Sequence, residues 1–212
     1  MDSADAADMI GEVSEEHSEA KDPATRFRNR AALLIAILAA VLAMGGLGGG
    51  NATDEMIFNN IKASDTWAFF QAKNMRQTAY EIAITELESD LVEPGLAPDQ
   101  RARIERQLAE HRATIARYES EPDPEAPNDL LRGEGKRQLR AQAQAYEAAR
   151  EVASAQDSNF DLAEVLLQLA LVLGSVAILA LNRIVLIAAV GLGLVGTLLV
   201  VNGFFLLFPL PI

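Results

Sequence analysis

The 212-residue sequence predicts an all-α protein: three transmembrane helices plus an elongated antiparallel helical, coiled-coil-like extramembrane domain. Two observations carry that expectation. No charged residue occurs in 31–50, 165–182 or 184–212. Between the first two of these stretches, apolar side chains recur at alternating four- and three-residue steps, the mark of helices that pack along one face. Half the residues are hydrophobic, yet mean hydropathy is only +0.11 at a net charge of −12, because apolar and polar residues are segregated along the chain.

The stretches read AALLIAILAAVLAMGGLGGG, VLLQLALVLGSVAILAL and IVLIAAVGLGLVGTLLVVNGFFLLF. A helix rises about 1.5 Å per residue, so roughly 20 apolar residues cross a hydrocarbon core about 30 Å thick. Leu162 and Ala163 lengthen the second stretch. The expected spans are 26–50, 161–181 and 184–208, since the rest of the chain is too small to bury three such runs. Residues 1–30 hold eight acidic groups, unlike the short basic start of a secretory signal, so the first span is expected to remain as an anchor.

Basic residues beside the spans set the orientation. Lys21, Arg26, Arg28 and Arg30 precede the first span, and Arg183 sits in the short turn between the second and third. Both groups are satisfied with the N-terminus cytoplasmic, 51–160 outside and the C-terminus outside. Residues 1–30 carry net −4, 51–160 carry −7 and 161–212 carry −1, so the acidity belongs to the water-facing parts. Residues 1–25 read as an acidic flexible cytoplasmic tail and 209–212 as a short tail.

Three helices are expected in 51–160, over about 54–90, 98–120 and 128–160. The first has no proline or glycine, and Thr53 or Asp54 can cap it. Its seam is Ile57, Ile61, Ala68, Met75, Ala79 and Ile82, with Ser64, Gln71 and Thr78 between; Trp67, Phe69, Phe70, Tyr80 and Leu87 form a second stripe. Pro98 suits the first turn of the second helix, whose seam is Ile104, Leu108, His111, Ile115 and Tyr118. EPDPEAPND then reads as an extended linker, long enough to climb back and complete a three-helix antiparallel stalk. The third seam is Leu139, Gln142, Tyr146, Ala149, Ala153, Gln156 and Phe160.

Chemistry is sparse. With no cysteine and two histidines, disulfides and thiolate chemistry are excluded and zinc chemistry has little to use. The acidic balance argues against nucleic acid. No catalytic, cofactor-binding or metal residues are expected, and the chain is not expected to be an enzyme. His111 reads as a packing residue. Gly191, Gly193 and Gly196 spell G-x-G-x-x-G, but inside an apolar span with no preceding strand. Small residues let membrane helices approach, so these glycines, Gly174 and the row Ala32, Ala36, Ala39, Ala43 are candidate packing positions, either within one chain or between subunits. The spans lack ionisable side chains in their interiors, which disfavours ion-coupled transport.

Residues 21–43 read KDPATRFRNRAALLIAILAAVLA, and 63–81 read ASDTWAFFQAKNMRQTAYE. These segments resemble a family of bacterial membrane proteins classed as a domain of unknown function; the likeness covers most of the chain and is strongest over 26–82. The resemblance implies a bacterial inner-membrane protein, so 51–160 would be periplasmic, and it supplies no activity. Trp67, Phe70, Gln71, Lys73 and Arg76 mix aromatic and basic groups and form a candidate interaction surface, although such a pattern more often marks a helix core with a charged outer edge. The expected role is a homo-oligomeric scaffold or adaptor whose partners are the lipid bilayer, further copies of the chain and an unidentified protein. A passive channel, its pore lined by the glycine-bearing third span in a ring of subunits, is the alternative.

Overall fold

The computed structural model describes residues 22–210. Residues 1–21 of the expected acidic tail, with His17, lie outside it. Four helices follow: α1 (Pro23–Leu91), α2 (Pro98–Glu119), α3 (Lys136–Ala180) and α4 (Arg183–Phe205). The fold is all-α as expected, and α1, α3 and α4 are each long and apolar enough to cross a membrane. The chain divides into two compact units, Met1–Asp54 with Ala153–Ile212, and Glu55–Val152.

α1 is one unbroken helix of 69 residues. The separate start expected near residue 54 is not used: Thr53 lies within α1, and its hydroxyl donates to Asp157 Oδ1 at 2.7 Å. The glycines at 45–50 leave the helix intact, although each costs about 1 kcal/mol relative to alanine in water. In an apolar medium the backbone has no partner but itself, so the helix persists.

In the first unit α3 is the central element. Its Phe160, Ala163, Leu167 and Ala170 are buried at three- and four-residue steps against Leu38 and Ala52 of α1 and Leu199 and Val200 of α4. A tight turn joins α3 to α4. Leu181 adopts a positive φ of 50°, and the Asn182 side chain accepts from the amides of Ile184 and Val185, capping α4.

The second unit is two helices thick, not three. The distal half of α1 runs beside α2: Arg112 pairs with Glu88 at 2.6 Å, and Tyr80 contacts the rings of His111 and Tyr118. The proximal half runs beside α3: Trp67 Nε1 donates to Glu147 Oε1 at 2.8 Å, and Arg150 to Asn60 Oδ1 at 3.3 Å. α2 and the start of α3 therefore lie end to end along α1. The 22 residues of α2 span about 33 Å and residues 136–152 about 25 Å, which matches the roughly 55 Å of α1 beyond residue 54.

This replaces the expected climbing linker. The chain at 121–135 is a closed loop, with the amide of Glu134 donating to the Glu121 carbonyl at 2.9 Å and a bridge pairing Pro122 with Gly133. Asp123 and Asp129 side chains accept the amides of Glu125 and Leu131. Such local bonds compete with helix formation, so the third helix begins at Lys136 and not near 128.

Candidate functional site

Which face of each helix is used inside the chain decides what remains for function. The seams read for α2 and α3 turn inward. Leu108, Leu139, Ala153 and Phe160 are buried, and Ile104, His111, Ile115, Tyr118, Gln142, Tyr146, Ala149 and Gln156 are half-buried. α1 behaves differently. Its inward row is Asn59, Ala63, Thr66, Phe70, Lys73, Gln77, Tyr80, Ile84 and Leu87, all buried or half-buried. The heptad seam Ile57, Ile61, Ser64, Ala68, Gln71, Met75, Thr78 and Ile82 is exposed along its whole length. Ile57, Ile61, Met75 and Ile82 are 50%, 53%, 67% and 57% accessible, and Phe58 and Phe69 flank them on the surface.

The aromatic and basic segment divides between these two faces. Phe70 and Lys73 are buried, Trp67 is half-buried, and Gln71 and Arg76 are exposed. The five side chains do not form one surface. Lys73 instead ties the junction where α2 ends and α3 begins. Its Nζ meets Glu121 Oε2 at 3.1 Å and donates to the Glu134 carbonyl, with the rings of Phe69 and Tyr118 at 5.2 and 5.7 Å. Beside it Lys136 Nζ meets Glu119 Oε2 at 3.1 Å and Asn74 Oδ1 at 3.2 Å. A buried ammonium is stable only when paired and hydrogen-bonded, and here two segments far from α1 supply the partners.

The small residues of the spans divide in the same way. Gly174 packs on Ile35, Gly193 on Leu38, and Gly196 on Leu167 and the Ala163 carbonyl. Ala32, Ala36, Ala39 and Ala43 are exposed, and a Cβ on Gly191 would meet nothing within 4 Å. The glycines of α4 that touch neighbours therefore serve packing within one chain, and the alanine row of α1 is left outward.

Two features of this unit depend on partners far away in the sequence. Phe160 occupies a notch in which added Cβ atoms at Gly48 and Gly203 would lie 2.6 and 2.7 Å from its ring, and its ring meets that of Phe204 edge-on at 5.0 Å. Asn202 is fully buried. Its Nδ2 donates to Asn159 Oδ1 at 2.7 Å and to the Phe208 carbonyl at 2.9 Å, and its Oδ1 accepts the Phe208 amide at 3.0 Å. The polarity of Asn202 at depth was a visible signal; its partner, 43 residues away, was not.

Among the described residues no group of three or more His, Asp or Glu side chains is placed to hold a metal ion. His111 lies with its ring centroid 5.0 Å from that of Tyr80, as a packing residue does. The exposed surfaces are apolar and small-residue faces, with a polar row of Asp161, Glu164, Gln168 and Ser175 along α3.

No curated protein and no solved structure matches the chain. A family model does, across residues 27–206, which takes in α3, α4, all but the first four residues of α1 and the whole of the second unit. The chain thus belongs to the family described as a domain of unknown function, DUF4337.

Proposed function

We propose that this protein is a homo-oligomeric scaffold or adaptor of a bacterial inner membrane, with its N-terminus cytoplasmic and residues 51–160 periplasmic. The exposed heptad seam of α1 carries the reading. A seven-residue repeat of Ile61, Ala68, Met75 and Ile82 is the pattern by which one helix seats against another, and the chain's own helices occupy the opposite face. A second copy offers the same seam, so the contact is self-complementary, as symmetric assemblies require. Covering each half-exposed Ile or Met contributes about 1 kcal/mol by area. The outward alanine row supports close helix approach within the bilayer. The orientation is supported by Arg26, Arg30 and Arg183, which line one cleft and so lie at the same end of the first unit.

The test is the mass of the detergent-solubilised chain. The wild type is expected as an oligomer, and Ile61→Asp with Met75→Asp as smaller species with unchanged helix content, since neither side chain is buried within the chain. A strictly monomeric wild type overturns the reading.

A passive pore is the second reading, favoured by the exposed polar row of α3. Glu164 and Gln168 are joined at 2.8 Å and face outward, where lipid would solvate them poorly. In a ring this row, and not the glycines of α4, would line the pore. Ion flux through reconstituted liposomes that is lost in Gln168→Leu supports a pore; absence of flux from an intact ring excludes it.

A further inference from the structure

The cleft that gathers Arg26, Arg30 and Arg183 also has the chemistry of a ligand site. It lies between the first two turns of α1 and the first turn of α4 and encloses about 510 Å³. Two features of it differ from an ordinary surface hollow. Three arginines line it, from two helices that are far apart in sequence. The rest of the wall is apolar, made by Pro23, Phe27, Leu186 and Ile187. Ile187 and its neighbour Ile184 continue as exposed apolar surface, 70% and 77% accessible, along the outside of α4.

We infer that this cleft binds the headgroup of an anionic phospholipid. Guanidinium forks match phosphate oxygens bidentately, and basic pockets between membrane helices at the cytoplasmic face take acidic headgroups. The apolar wall is the part that selects a lipid over free phosphate. A phosphate held by Arg30 and Arg183 leaves its glycerol and acyl chains against Leu186 and Ile187, and from there along α4. The inference rests on the three apolar helices crossing a bilayer; it does not rest on self-association.

The experiment is native mass spectrometry of the full chain in neutral detergent, titrated separately with phosphatidylglycerol, phosphatidylcholine and inorganic phosphate. Phosphatidylglycerol is expected to be retained in preference to phosphatidylcholine, with millimolar phosphate failing to displace it. Arg30→Gln with Arg183→Gln should weaken retention about 30-fold, each surface arginine being worth roughly a factor of five. Arg28→Gln removes one charge from an exposed position outside the cleft wall and should leave retention within about twofold, against about fivefold for Arg30→Gln alone, because salt screens an arginine that does not touch the headgroup. Arg183→Lys keeps the charge that governs membrane insertion and should lie between wild type and the double variant, because an ammonium lacks the planar fork.

Equal weakening by Arg28→Gln would show diffuse charge attraction and overturn the site. Displacement by inorganic phosphate would show a phosphate site without lipid selectivity and overturn it too. The acidic segment of residues 2–19 is the rival occupant. Retention that appears only after its deletion would assign the cleft to the chain's own carboxylates and overturn the proposal. The same spectra report the oligomer mass, so failure of lipid binding and failure of self-association are read separately.

Discussion

Glycine has two meanings within a few turns of this protein, and the neighbouring atoms decide which applies. Gly203 and Gly48 both lie close against the ring of Phe160, which leaves that ring little room to shift. Gly203→Ala is expected to lower stability by about 1–3 kcal/mol through overpacking. Gly191 faces open space, and Gly191→Ala should leave stability unchanged or raise it by up to about 1 kcal/mol, the helix preference of alanine over glycine. Thermal unfolding of the two variants in one detergent checks the contrast, and equal midpoints would contradict the packing described here. The literal G-x-G-x-x-G of the sequence contains both kinds of glycine, since Gly193 and Gly196 contact neighbours and Gly191 does not. Asn202 teaches the same lesson for polar groups. It is tolerated because Asn159 and the backbone of Phe208 satisfy it, and an amide without those bonds would cost about 1–3 kcal/mol.

At the scale of elements, the second unit depends on how α2 hands over to α3. The 121–135 loop closes on Gly133, which has φ +103° and lies against the backbone of Glu121, Pro122 and Asp123. An L side chain there is strained both by its conformation and by that contact. Gly133→Ala is expected to cost about 2 kcal/mol and to release the loop. Hydrogen exchange reads it as faster amide exchange over 120–142, with exchange in the apolar helices unchanged. Protection that matched the wild type would mean the loop does not fix the handover. Proline content suggested an extended linker for this segment because Pro122, Pro124 and Pro127 favour extended backbone. The closing contacts come from Lys73 and from Gln138, whose Oε1 accepts the Glu121 amide at 3.3 Å, and composition shows neither.

For the whole molecule, the proposed topology makes a prediction that a cysteine-free chain tests directly. Asn128→Cys and Asn29→Cys place single thiols at two exposed positions. With residues 51–160 periplasmic, an impermeant maleimide applied to spheroplasts labels Asn128→Cys at once and labels Asn29→Cys only after lysis. The reverse pattern would invert the orientation. The arginines that predict this orientation are the ones gathered in the cleft proposed to bind lipid, so topology and lipid contact share one physical cause, the clustering of positive charge at one end of the apolar helices.

Taken alone, the sequence determined the helical class, the three apolar stretches and the seams of α2 and α3. Each is a periodic or compositional property of a continuous segment, and the 3.6-residue turn makes it readable without knowing a neighbour. The seam of α1 was equally visible, but its direction was not. Ile57, Ile61, Ala68 and Met75 repeat with the same period as Asn59, Ala63, Phe70 and Lys73, two residues out of phase and therefore on nearly opposite faces. Hydropathy favours the first row for burial, and the tertiary structure buries the second. Glu121 and the Glu134 carbonyl, 48 and 61 residues from Lys73, make its charge satisfiable, and Phe70 packs beside it. A buried polar residue is stabilised by partners and not by its own composition, so only the folded chain could decide which face of α1 is spent on its own helices and which is left exposed.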